Sequence, residues 1–348
     1  MGDLLVNISS FMRGCAVIFY IMLCVMLCSV RERNSPLRIL YWTMLFMAFL
    51  QIKDIVFLYE PFWYNNAISK IAQALDYLYI PAVALLFFEC LSPGFVNLRR
   101  VLAIGGGQAL LLLAVIIHPE GIINDIALWY AFASGISFTI MVFVASLRVD
   151  RFIGKNYSYT ERIDASWVRW SAIALLLSLL VYVAVMCKET WLGDSLYLLS
   201  TIASWTFITI LAFRHEVVPV PANILGAASH PTPVEPETVP AGLAAKLEAA
   251  MSHDEIYLNP RLSLEDVAAH LGTNRTYLSV CINRDLGKSF LDYVNSWRVR
   301  KACTILDSPE RTSLTVKELS ACCGFNSVST FGRAFRKFTG CSPSNYHL

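Results

Sequence analysis

Residues Ser263-Leu-Glu-Asp-Val-Ala-Ala-His-Leu-Gly272-Thr-Asn274, running into Arg275-Thr-Tyr-Leu278, follow one pattern. Residues Thr315-Val-Lys-Glu-Leu-Ser-Ala-Cys-Cys-Gly324-Phe-Asn-Ser327, running into Val328-Ser-Thr-Phe331, repeat it. Each copy opens on Ser or Thr with an acid three residues later, the mark of a capping box at a helix start. A short helix with one apolar face follows, then a glycine suited to positive φ, then a polar N-cap that opens a second helix. This is helix-turn-helix written twice, with 52 residues between Gly272 and Gly324.

The rest of the chain has a different character. Of 348 residues, 56% are apolar and only 16% charged, an unusual pairing for a soluble protein. Nearly every long apolar run lies before Phe213. The net charge of +2 decides nothing, but from Arg275 to Gly340 there are eleven Lys/Arg against five Asp/Glu. A basic surface of that kind suits nucleic acid, and a solvated helical face is the ordinary alternative. None of the ten cysteines has the Cys or His spacing of a zinc site, and no metal or cofactor is expected. Adjacent Cys322 and Cys323 read as small core filler in a reducing cytoplasm.

Crossing a bilayer takes roughly 20 apolar residues per helix. Seven segments qualify, at about 8–30, 39–58, 71–91, 101–117, 122–147, 168–187 and 195–213. The first lacks a small-residue cleavage site and reads as a span, not a cleaved signal peptide. Loops on one side hold Arg31, Arg33, Arg38, Arg99, Arg100, Arg148, Arg151, Lys155, Arg162, Arg169 and Arg214, against Lys70 and Lys188 on the other. The richer side is cytoplasmic, so the N-terminus lies outside and everything after Arg214 inside.

Ionisable groups interrupt the spans. Arg13, Lys53, Asp54, Asp76 and Asp125 each fall about five residues from the outer end of their helices. They form a candidate outward-facing pocket for a signal, walled by Tyr77, Trp129 and Tyr130. Interfacial snorkelling, or a Lys53–Asp76 pair joining two helices, is the competing reading. Glu89, Trp63 and Tyr64 read as interfacial. Gly105-Gly106-Gly107 inside a span reads as close helix packing. From Glu216 to Pro240 six prolines and no helical period give a semi-extended tether. No phosphate-cradling glycine loop, H-E-x-x-H or G-x-S-x-G is present, so no enzyme is expected.

Residues 262–348 resemble the DNA-binding domain of the AraC/XylS family of bacterial transcription regulators. The resemblance rests on Leu264 through Gly272, on Gly287-Lys-Ser-Phe290, Tyr293, Arg298, Ala302 and Ile305-Leu306, and on Gly324-Phe325, Ser327, Phe331, Phe335, Gly340 and Pro343-Ser-Asn-Tyr346. Ile282, Ser320 and His347 depart from the family pattern, and His347 puts one phosphate contact in doubt. The resemblance implies two motifs held by a central helix, about Phe290–Leu306, with their second helices entering successive major grooves. A recognition helix buries one stripe and offers the other to base edges. Leu278 and Ile282 form the first buried stripe, leaving Arg275, Thr276, Ser279 and Val280 as base contacts. Phe331 and Phe335 form the second, leaving Val328, Ser329, Thr330 and Arg333. Arg333 suits a bidentate contact to guanine and Val280 a thymine methyl. Lys288, Arg300, Arg336 and Lys337 are placed for phosphates.

The expected architecture is all-α: a polytopic seven-helix membrane bundle (1–214), a Pro-rich linker (215–241) and a cytoplasmic AraC-type double helix-turn-helix domain (242–348). The expected function is a one-component transcription regulator in the bacterial inner membrane, controlled by a signal at the membrane domain. Its partners are double-stranded promoter DNA, the lipid bilayer, and an unknown small-molecule or protein signal; a homodimer is an ordinary alternative to a monomer. A different reading makes the spans a mere anchor, with a partner membrane protein as the sensor.

Overall fold

A computed structural model describes residues 2–56, 66–119, 121–186, 191–225, 240–308 and 314–346. Trp63, Tyr64, Lys188, His347 and most of the Pro-rich segment lie outside these residues. The described chain is all-α, with one isolated antiparallel bridge, Tyr157 to Ser263. It divides into two compact units. The first comprises Met1–Val149 and Ala165–Ala227, the second Asp150–Asp164 and Ala228–Leu348.

The first unit is built from α1 (Gly2–Cys28), α2 (Ser35–Val56), α3 (Asn66–Asp76), α4 (Tyr79–Leu91), α5 (Leu98–Ile117), most of α6 (Ile123–Asn156), α7 (Ser166–Met186) and α8 (Trp191–Arg214). Among the described residues six stretches are long and apolar enough to cross a membrane: Ser10–Cys28, Ser35–Val56, Asn66–Leu91, Leu98–Ile117, Ile123–Asn156 and Ser195–Arg214. The stretch at Ser166–Val181 is a shorter apolar helix. The third stretch is broken at Tyr77–Leu78, between α3 and α4. The close-packing reading of the glycines fits Gly107, where the Tyr130 side chain fills the space a Cβ would need.

Two buried charges inside this unit, Lys53 and Glu89, have close partners. The Lys53 ammonium is buried and reaches Asp76 Oδ1 at 2.7 Å, Asp54 Oδ1 at 2.9 Å and the Ala72 carbonyl at 2.9 Å. Glu89 is buried, not interfacial. Its two carboxylate oxygens accept from the Gly94 and Val96 amides at 2.7 and 2.8 Å, which pins the turn after α4. Residues 215–225 depart from a free tether. Ser92 Oγ donates to the Val220 carbonyl at 2.7 Å and Arg148 to the Leu225 carbonyl at 3.0 Å, while Val220 and Leu225 are buried. Prolines at 219 and 221 leave this stretch extended, and its apolar side chains take it into the unit.

The second unit contains α9 (Leu243–Ser252), α10 (Leu264–His270), α11 (Arg275–Val280), α12 (Phe290–Asp307), α13 (Val316–Cys322) and α14 (Val328–Thr339). It has two small cores. Leu247, Met251, Tyr257, Val267, Leu278 and Ile282 meet Phe290, Tyr293 and Val294 in the first. Leu319, Cys323, Phe325, Phe331 and Phe335 meet Val299 and Ala302 in the second. The N-terminal half of α12 therefore serves one core and its C-terminal half the other. Cys323 is fully buried as core filler, and burial pushes its thiol up to about 12; Cys322 is exposed.

Arg298 sits where the two halves of α12 meet and is only 1% exposed. Its guanidinium donates to the carbonyls of Tyr257 (2.8 Å), Asn259 (2.7 Å) and Ser158 (2.9 Å) and to Ser158 Oγ (3.1 Å), and it lies 5.5 Å from the Phe325 ring. Burial lowers its pKa to about 10, which still leaves it charged at neutral pH. A lysine has no planar fork to satisfy four acceptors at once. Arg298→Lys is expected to destabilise the second unit by about 3 kcal/mol, the size of a broken buried charge network. Urea-dependent proteolysis of the detergent-solubilised chain checks it, and unchanged resistance in the second unit contradicts it.

Candidate nucleic-acid interface

Both capping boxes form as the spacing requires. The Ser263 hydroxyl accepts from the Asp266 amide while the Asp266 carboxylate accepts from the Ser263 amide; Thr315 and Glu318 do the same. The Thr315 amide and hydroxyl hold the Glu318 carboxyl below the usual carboxylate range. Gly272 and Gly324 adopt φ of +64° and +80°. At Gly324 only a glycine fits, because a Cβ would come within 2.8 Å of the Leu258 carbonyl oxygen. The next polar residues, Asn274 and Ser327, cap α11 and α14 by accepting from the Tyr277 and Thr330 amides. Each motif thus has its second helix set by local hydrogen bonds.

On α11, Arg275 and Thr276 are exposed and Ser279 is half-buried. Val280 corrects the sequence expectation: it is buried and offers nothing to a thymine methyl. The helix widens into a π-turn at Cys281–Asp285, so Leu278, Val280, Cys281 and Ile282 all fall on the buried side. Asn283, which sequence reasoning missed, is exposed and donates to Ser279 O at 2.8 Å and Ser279 Oγ at 3.1 Å. Its signal was the i, i+4, i+8 spacing Arg275–Ser279–Asn283 along one face.

On α14, Val328, Ser329, Arg333, Arg336 and Lys337 are exposed, and Phe331, Ala334 and Phe335 are buried. Thr330 is half-buried, and its hydroxyl accepts from Arg333 at 3.2 Å. A groove runs along this helix, lined by Val328, Ser329, Gly332, Arg333, Arg336, Lys337, Ser342 and Pro343. Three cations and small side chains make a concave basic surface open to solvent. Lys337 is also tied to Asp292 of α12 at 2.6 Å. Lys288 and Arg300 are exposed, and the Arg300 guanidinium lies 4.4 Å from the Trp297 ring.

In the first unit the structure brings Lys53, Asp54 and Asp76 into one ion cluster, and the Arg13 charge also acts on Asp76. Asp125 is exposed in the first turn of α6. Tyr77 is buried, Trp129 is exposed, and Tyr130 is partly exposed with its side chain against Gly107.

The cap of the second motif is open to a direct test. Thr315→Ala is expected to cost about 1 kcal/mol in the second unit, the usual worth of an N-cap. Proteolysis of the solubilised chain under increasing urea reads it, and a null change places the helix start under the control of packing alone.

A family model described as a helix-turn-helix domain matches residues 267–347. The chain is 33% identical over 85 residues to the uncharacterized HTH-type transcriptional regulator YtdP of Bacillus subtilis, covering 24% of this chain and 11% of that one. It is 31% identical over 91 residues to the HTH-type transcriptional activator AarP of Providencia stuartii, covering 26% of this chain and 65% of that one. Among solved structures, the C-terminal domain of AraT, a response regulator from Geobacillus stearothermophilus, shares 30% identity over 29% of this chain and 82% of its own, at a TM-score of 0.26. The chain spans less than two thirds of the length of either curated relative. Its C-terminal part is an AraC-type helix-turn-helix domain, similar to those of HTH-type transcriptional regulators.

Proposed function

We propose that this chain is a one-component transcription regulator embedded in the bacterial inner membrane. It binds promoter DNA in the cytoplasm through α11 and α14 and takes its signal at the helices of the first unit. The basic groove along α14 in an AraC-type domain carries the DNA-binding reading. In this reading Arg333 meets a base edge and Arg336 and Lys337 meet phosphates, which position without specifying. On the first motif the reading set is Arg275, Thr276, Ser279 and Asn283, with Lys288 and Arg300 toward the backbone.

Membrane embedding is supported by six stretches of spanning length and a seventh shorter apolar helix. With seven spans the N-terminus lies outside, and the arginine-rich loops share the cytoplasm with the DNA-binding domain. The signal site centres on Arg13, Lys53, Asp54 and Asp76, because ionised groups at membrane depth are costly and mark functional positions. Against it stands one specific observation: Lys53 already has three oxygen partners, as a helix-pinning ammonium would. That favours a second reading, in which the helices anchor the factor and a partner protein senses.

Selection from a random duplex library by the full chain in detergent tests the main reading. Enrichment of two short elements about one helical turn apart is expected, since each motif reads one major groove. Binding that is salt-sensitive and blind to sequence removes the specific-regulator reading. Arg333→Ala is expected to lose about 1–3 kcal/mol of preference at one or two base pairs while affinity for random DNA holds. Equal loss on both duplexes assigns Arg333 to a phosphate. Asp76→Asn is expected to change reporter output in cells without changing DNA affinity; unaltered output favours the anchor reading.

A further inference from the structure

Residues 150–164, the last turns of α6 and most of the loop to α7, fold as part of the DNA-binding unit. Ile153, Ser158 and Ile163 are buried in it. The segment touches the start of three helices in turn. The Phe152 ring lies 5.8 Å from the guanidinium of Arg275, the first residue of α11. Tyr157 pairs antiparallel with Ser263, the N-cap of α10, and the Ser158 amide donates to the Leu262 carbonyl at 3.0 Å. Ser158 then takes two bonds from Arg298. Finally Glu161 Oε1 accepts from Ser327 Oγ, the N-cap of α14, at 3.2 Å.

In helix-turn-helix proteins the starts of these helices are where backbone amides and capping hydroxyls meet DNA phosphates. A carboxylate at the positive end of α14 has the charge and the acceptor oxygens of a phosphate. Arg162 beside it holds φ at +65°, a strained value for a non-glycine residue that docking must maintain.

We propose that two side chains of this segment occupy the reading face, Glu161 in the place of a DNA phosphate at the start of α14 and Phe152 over Arg275, while Ser158 stays bound to Arg298. These two side chains and duplex DNA then exclude one another. Because Phe152 stands on the last turns of α6 and the loop after it leads into α7, a shift of those helices withdraws or reseats the two side chains. The first unit thereby acts on DNA binding through the chain itself, without relying on the Pro-rich stretch. This inference rests on the DNA-binding reading above.

The test uses the full chain in lipid nanodiscs with a random-sequence duplex as probe. Glu161→Gln is expected to bind about tenfold tighter than the parent chain, the size of one charge-assisted hydrogen bond. Glu248→Gln removes the same charge from α9, which carries no reading residue, and is expected to shift affinity by less than about twofold because distant exposed charges are screened. Amide exchange across 160–163 is expected to rise when DNA is added. Unchanged or weaker binding by Glu161→Gln, an equal gain from Glu248→Gln, or undiminished protection of 160–163 in the DNA complex each overturns the inference. Failure of the parent and both variants to bind duplex DNA at any salt strikes the DNA-binding reading itself, and the inference falls with it.

Discussion

The second unit depends on a buried guanidinium. Two cores of modest size, separate clusters among the described residues, share one helix, α12. Arg298 bridges that junction. It gathers the Tyr257–Asn259 turn of the first motif, the Phe325 ring of the second, and Ser158 from far upstream. Taking a charge out of water costs several kcal/mol unless its donors are met. Here all three nitrogens have acceptors, so the cost falls due only when one of those partners is lost. The spacing of α11 and α14 follows from this arrangement, because each motif is tied to the same side chain.

That dependence makes the DNA-binding unit discontinuous in sequence. Ser158 supplies two of the acceptors, and Glu161 reaches the cap of α14. A segment bracketed by two apolar helices is thus built into the domain that reads DNA. In the first unit two buried charges are met in the same way. Lys53 meets two carboxylates and a carbonyl, and Glu89 meets two amides. Such groups survive among apolar helices because their partners are supplied within a few ångströms.

Much of the reading apparatus is legible in the sequence. Ser263 with Asp266 and Thr315 with Glu318 form their boxes, Gly272 and Gly324 take positive φ, and Asn274 and Ser327 cap the following helices. The outward face of α14 follows from Phe331 and Phe335 facing in. The face of α11 follows only in part from helical spacing: Arg275, Ser279 and Asn283 share it at i, i+4, i+8, whereas Val280 is buried. Likewise, prolines from 219 onward announce an extended chain but not that Val220 and Leu225 are buried or that Ser92 and Arg148 hold it.

The sequence by itself determined the elements: which stretches are helices, where each motif turns, and which helices are apolar enough to span a membrane. Those properties are decided within one or two turns, by caps, by glycine's freedom at positive φ, and by runs of apolar side chains. Only the tertiary structure decided which partners the buried charges take and that residues 150–164 belong with the reader. A buried charge is satisfied by whichever acceptors the fold brings to it. Arg298 and Ser158 are 140 residues apart, a distance over which no local pattern carries information.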